Sequence, residues 1–330
     1  MKNEIFETIL LLALPASGKS EVRKFLASFD GDACRAHFRM GETVQLDDYP
    51  YVHMMRRYDE ALLDAAAQPV FFRALDDGFR DPRDWGTLIE LLNEDFADLH
   101  KRPAPPTGSA FEWLHARVDR ARIAVGAPSL GTLMGPRERK HVAAALEAEA
   151  AMLVRDKWEG IPATLEGRTV VIEFARGGPD GSAMPLKAPL GYAYSLARLS
   201  DDILSRAAIL YVWVTPEQSR AKNVGRTDPN APGSILHHGV PHKVMMGDYG
   251  CDDIEHLLTV VGDGAAIPIS SAATGRAFRV PLARVDNRAD LTTFARANPA
   301  AWRKDDVDAL LGALSQGFAA LWDTSAKSPA

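Results

Sequence analysis

Ile9-Leu10-Leu11-Leu12-Ala13-Leu14-Pro15-Ala16-Ser17-Gly18-Lys19-Ser20-Glu21-Val22 joins an apolar run to a glycine turn and then to a charged, amphipathic segment. Ile9–Leu12 carries no polar residue, as suits a strand buried on both faces of a parallel sheet. Val22, Phe25, Leu26 and Phe29 recur at helical spacing directly after Ser20. Between them, residues 13–20 follow the phosphate-binding P-loop pattern G-x-x-x-x-G-K-[ST], with Ala13 at the first glycine position. Gly18 lets the backbone turn N–H groups inward on an anion. Lys19 brings positive charge to β- and γ-phosphates, and the Ser20 hydroxyl suits Mg2+. The following helix presents its N-terminal dipole to the same anion. Pro15, Ala16, Ser17, Gly18, Lys19 and Ser20 are therefore the expected nucleotide-binding residues. Ala13 bears on how the chain leaves the strand rather than on the cradle.

Composition narrows the class. At 330 residues the chain is long enough for one large core plus an insertion. A net charge of −6 argues against a general basic footprint for nucleic acid or anionic membrane, although a local basic groove fits within it. Cys34 and Cys251 lie far apart in no metal-like spacing, which predicts a reduced, cytoplasmic protein. Glu4 and Glu7 precede the first apolar run, so a signal peptide is not expected. No run reaches bilayer length, and no membrane contact is expected.

Periodicity divides the chain into three parts. Residues 1–69 hold the first strand, loop and helix, a second strand over Thr43–Leu46 and a helix over 51–67. Residues 70–165 read as nearly all helical. Trp85, Leu88, Leu92, Phe96 and Leu99 form one stripe, 110–124 a second helix, and a third runs from Pro136 through Leu153. Residues 166–330 return to strand–helix alternation. Strands are expected at Arg168–Phe174, Ile209–Val214 and Ala277–Leu282, and helices at 189–205, from Thr215, around Ile254–Val261 and at 304–322. Residues 227–250 read as a loop, and Thr324–Ala330 as a disordered tail. The alternation predicts a doubly wound α/β sheet with a helical insertion at 70–165.

In such sheets ligands bind beyond the carboxyl ends of the strands. Three strand ends carry suitable groups: the loop at 13–20, Asp47-Asp48, and Glu173 with Arg176 three residues on. Phosphoryl transfer needs the donor held, charge neutralised and the acceptor oxygen in line. Lys19 and Mg2+ are expected to do the neutralising. Asp47 is placed to take the acceptor hydroxyl's proton or to orient Mg2+, and Glu173 to orient the metal; the residues alone do not separate the two carboxylate roles. Ser20, Asp47 and Glu173 are the metal candidates. Downstream, Arg220 is a candidate for the adenine side and Arg226 for neutralising the transferring oxygens, in a lid near 220–250.

ALPASGKSE, QLDDYP, TVVIEFARGG and YVWVTPEQSRAKNVGR occur in the order seen in P-loop kinases of the nucleoside and small-metabolite type. Asp47-Asp48-Tyr49 resembles the acid–aromatic segment of uridine kinases. The SGKS loop with its preceding proline is similar to polynucleotide-kinase and zeta-toxin-like kinases. The resemblance covers roughly 1–60 and 165–285. It implies a mainly parallel sheet of about five strands, ATP as donor, Mg2+ and a closing lid.

The expected acceptor groove follows Asp47. Asp48, Tyr49, Tyr51, His53, Arg56, Arg57 and Arg176 are its candidates, the arginines for an anionic group and the tyrosines for stacking. His237, His238 and His242 invite a zinc reading, but no cysteine or spaced carboxylate completes the set. The leading expectation is a kinase acting on a hydroxyl of a nucleoside, sugar or related metabolite. The alternatives are a kinase for nucleic-acid ends and a nucleotide-dependent switch or ATPase.

Overall fold

The computed structural model describes residues 4–226 and 239–327. In chain order the first part comprises β1 (Thr8–Leu12), α1 (Lys19–Leu26), α2 (Gly31–Phe38), β2 (Glu42–Asp47) and α3 (Tyr49–Asp64). Four helices follow: α4 (Asp84–Lys101), α5 (Ala110–Ala124), α6 (Leu130–Leu133) and α7 (Pro136–Glu159). Then come β3 (Arg168–Phe174), α8 (Gly191–Ala197), α9 (Asp201–Leu204), β4 (Ala207–Trp213) and α10 (Pro216–Arg226). The chain closes with α11 (His242–Gly247), α12 (Ile254–His256), β5 (Ala266–Ser270), β6 (Ala277–Asp286) and α13 (Lys304–Lys327).

The sheet is α/β and mostly parallel, in the order β2-β3-β1-β4-β6-β5. The first five strands of that order run parallel, and β5 pairs antiparallel with β6 at one edge. β1 is buried along its whole length, and its side chains alternate between two cores. Leu10 and Leu12 join Ile172, Ile209, Ile89 and Leu196 on one face. Ile9 and Leu11 join Val22, Phe25, Leu314 and Phe318 on the other. This two-sided burial explains why Ile9–Leu12 carries no polar residue. Each such Leu or Phe contributes about 1.5–3 kcal/mol by leaving water.

A third core belongs to the helices. Tyr58, Leu62, Phe71, Leu88, Leu91, Phe111, Leu114, Val142 and Leu146 pack together between α3, α4, α5 and α7. α4 serves both neighbours: Ile89, Leu92, Phe96 and Leu99 face the sheet core, while Trp85, Leu88 and Leu91 face the helical one. The single leucine–aromatic stripe of the sequence thus splits over two sides of one helix.

Several expectations need correction. The sheet has six strands rather than five, because β5, with Pro268 at its centre, gives a weak strand pattern. The helix expected over 189–205 is two, since Ser200 caps a new start by accepting a hydrogen bond from Ile203 N–H. The strand expected to end at Leu282 continues to Asp286. The last helix runs on to Lys327, so Thr324 is helical rather than part of a disordered tail. Within the loop expected at 227–250, residues 242–247 are helical, and 227–238 lie outside the described residues. No helix among the described residues is long and apolar enough to cross a membrane.

Candidate active site

The loop between β1 and α1 is held from outside by its carbonyls. Tyr192 Oη on α8 donates to Ala13 O at 2.9 Å. Ser219 Oγ on α10 donates to Pro15 O at 2.7 Å. Asn287 Nδ2, just past β6, donates to Ser17 O at 2.8 Å and to Thr292 Oγ1 at 2.9 Å. Three carbonyls are therefore taken by the surrounding fold. Ala16 at φ +56° and Gly18 at φ +106° supply the left-handed turns that the loop needs. A Cβ on Gly18 would collide with Thr292 Oγ1 and lie 2.7 Å from Asn287 Nδ2. The first N–H groups of α1 have no acceptor within the helix, a polarity suited to an anion. Ala13 is fully buried in the core it shares with Val22 and Phe25.

Strand register brings the carboxylates beside this loop. Asp47 pairs in register with Glu173, which in turn pairs with Leu11 of β1. Lys19 Nζ stands 3.8 Å from Glu173 Oε1. Arg23, one turn further along α1, places Nη1 3.3 Å from Glu173 Oε2 and 3.5 Å from Asp47 Oδ2. Glu173 Oε2 is buried and has no aligned hydrogen bond among the described residues. Burial pulls the Lys19 ammonium below its ordinary range, and the Glu173 charge resists that shift. Burial, then the Glu173 and Asp48 charges, push the Asp47 carboxyl up to about 7, against the Tyr49 N–H that donates to its Oδ1 at 2.8 Å.

The same cavity continues into an aromatic chamber. Its volume is about 170 Å3, and its walls include Leu14, Lys19, Ser20, Asp47, Asp48, Glu173, Tyr49, Arg56, Phe72, Phe79, Trp85 and Tyr249. The chamber wall is set by a buried acid. The Asp59 carboxylate accepts hydrogen bonds from Val70, Phe71 and Phe72 N–H at 2.7–3.1 Å. Burial raises the Asp59 carboxyl, and those three N–H groups oppose the rise. The loop then folds back, with Arg80 N–H donating to Phe71 O at 2.7 Å. Phe72 and Phe79 stack at 4.7 Å, and Phe79 meets Trp85 edge-on at 4.8 Å.

Most of the sequence candidates converge. Pro15, Ala16, Ser17, Lys19, Ser20, Asp47, Asp48, Tyr49, Arg56 and Glu173 line one cavity, with Gly18 in the turn behind it. Others sit elsewhere. Arg57 pairs with Glu60 and with Glu149 at 3.0 Å, and His53 approaches the same Glu149 at 3.7 Å. Tyr51 Oη donates to Asp95 at 2.9 Å inside the helical core. Arg176 is buried beneath the cavity on Asp48 at 2.6 Å. Arg220 pairs with Asp180 and Glu217, each at 3.2 Å. Arg226 ends α10, and its side chain, like His237 and His238, lies outside the described residues. His242 starts α11. Sequence reading passed over Arg23, Phe72, Phe79, Asp248 and Tyr249, and placed Trp85 only in a helical core stripe. Only Arg23 carried a local signal, a second cation one turn after Lys19 on the same helix.

Among the described residues no three His, Cys, Asp or Glu side chains are grouped to hold a metal. A magnesium ion needs fewer: it keeps several waters and takes one or two carboxylates with phosphate oxygens. The hard oxygens of Ser20, Asp47 and Glu173 fit that requirement, and Glu173 Oε2 offers a buried oxygen without a hydrogen bond. Comparison with protein-family models, with curated proteins and with solved structures returned no match.

Proposed function

We propose that this protein is an ATP-dependent phosphotransferase that moves the γ-phosphate to a hydroxyl of a small molecule. The observation that carries the reading is one cavity with two differently built halves. One half offers helix N-terminal N–H groups, Lys19 and Ser20, which suit a polyphosphate. The other is an aromatic chamber reached past Asp47, which suits a second, less charged molecule. A nucleotide switch needs only the first half.

In this reading Lys19 neutralises charge on the phosphate oxygens. Asp47 takes the acceptor's proton. Tyr49 N–H holds Oδ1, and Oδ2, 3.5 Å from Arg23 Nη1, is the oxygen that would meet the hydroxyl. A carboxyl raised to about 7 is matched to proton transfer near neutral pH. Ser20 and Glu173 would hold Mg2+, which neutralises phosphate charge when bound. Arg23, already between the two carboxylates, offsets the repulsion between them.

The test is calorimetry with magnesium and ATP, followed by incubation with a pool of hydroxylated metabolites and mass spectrometry of the phosphorylated products. Wild-type protein binds ATP and transfers phosphate. Lys19→Ala lowers transfer by about 10²–10³ without unfolding the chain, the range typical for removing one charge-stabilising donor. Absence of ATP uptake at millimolar ligand overturns the proposal.

A further inference from the structure

The wall of the chamber carries a charge that phosphate chemistry does not use. Asp248 follows α11, is 7% exposed and lines the cavity beside Phe72, Phe79, Trp85 and Tyr249. Its Oδ2 has no hydrogen-bond partner among the described residues. That oxygen packs closely against Gly78, where a Cβ would collide with it. Nearby cations have other partners. Arg73 donates to Asp77 Oδ1 at 2.9 Å and to Phe79 O at 3.0 Å, and Arg56 donates to Leu75 O at 2.6 Å. Burial pushes the Asp248 carboxyl up to about 6 against the pull of Arg73 and Arg56. A buried acceptor in this condition calls for a donor.

The chamber also restricts what brings that donor. The Arg56 guanidinium lies over the Phe72 ring at 4.1 Å, and Arg176 lies over Trp85 at 5.0 Å. Those aromatic faces are already covered by guanidinium groups, so a ligand ammonium gains no cation–π contact on them. A neutral ring packs against the aromatic edges instead. Resting on the phosphotransferase reading, we propose that the acceptor is a neutral, planar, hydroxyl-bearing molecule whose N–H donor is read by Asp248.

The experiment uses the full chain without nucleotide and three probes: 4-aminobenzyl alcohol, benzyl alcohol and 2-phenylglycinol, which carries an ammonium at neutral pH. Affinities come from ligand-observed magnetic resonance titrations. 4-Aminobenzyl alcohol binds at least fivefold tighter than benzyl alcohol, and 2-phenylglycinol binds weakest. Asp248→Leu removes the preference while benzyl alcohol still binds. Should the leucine variant lose benzyl alcohol as well, Asp248→Asn decides, with the preference cut at least threefold. Equal binding of the two neutral alcohols, tightest binding of 2-phenylglycinol, no binding of any probe, or a preference that survives both substitutions overturns the proposal. Lys19→Ala retains the probe order. A failure of ATP binding therefore sinks the phosphotransferase reading separately from the Asp248 result.

Discussion

Asp48 and Arg176 meet at 2.6 Å where β2 and β3 end, and this pair divides the work of two consecutive carboxylates. Asp47 is left to Tyr49 N–H and the phosphate side of the cavity. Asp48 is tied to a guanidinium sandwiched between Trp85 at 5.0 Å and Phe174 at 5.1 Å. The pair fastens the start of α3, whose first residues line the site, to the neighbouring strand.

Arg176→Met keeps the apolar stem but leaves Asp48 buried without its cation. Breaking a buried pair in this way costs about 3–5 kcal/mol. Urea unfolding of the two proteins measures it. A change within experimental scatter would show that Asp48 reaches water when its partner is gone.

Gly18→Ala forces an L side chain into φ +106° and against Thr292 and Asn287. The backbone strain is on the order of 1–3 kcal/mol, and the collision shifts the loop whose N–H groups face the cavity. We expect ATP affinity in calorimetry to fall at least tenfold, well beyond the loss in thermal stability. Wild-type affinity would place the anion away from this turn.

Asp59→Ala removes the acceptor of three buried N–H groups at residues 70–72. Orphaned buried donors cost roughly 1–3 kcal/mol each, so a total loss of about 3 kcal/mol or more is expected in denaturant unfolding. Because Phe72 and Phe79 depend on this loop, benzyl alcohol binding disappears with it. Retained binding would mean that the chamber holds its shape without the acid.

Asp248 makes stability depend on pH. Its folded carboxyl titrates at about 6, above the ordinary 3.8, so the folded state binds the proton more tightly than the unfolded one. The contribution is therefore full below about pH 4 and is lost as pH rises through 6. The shift corresponds to roughly 3 kcal/mol at most. Asp248→Asn should flatten this part of the profile between pH 4 and 7 in denaturant unfolding. An unchanged difference between variant and wild type across that range refutes it.

The parts legible in sequence are those where a local pattern has a single physical cause. Ile9–Leu12 reads as a doubly buried strand because both of its faces meet apolar cores. The glycine at 18, and the ammonium and hydroxyl after it, form one contiguous motif. Asp47 and Glu173 follow recognisable strands. The edge strand at 266–270 was hidden by its proline, and Ser200 broke a helix that apolar spacing continued. Arg57 and Arg176 looked equivalent to Arg56 on the chain. Their partners, Glu149 and Asp48, come from 92 and 128 residues away.

Sequence alone determined the strand–loop–helix order and the residues that stand at the strand ends, since these depend on neighbours a few positions apart. Only the tertiary structure decided that Tyr192, Ser219 and Asn287 brace the loop, and that Phe72, Trp85 and Asp248 share a chamber with it. Those contacts join segments distant along the chain. Their distances are fixed by sheet register and helix packing, which no short stretch of residues encodes.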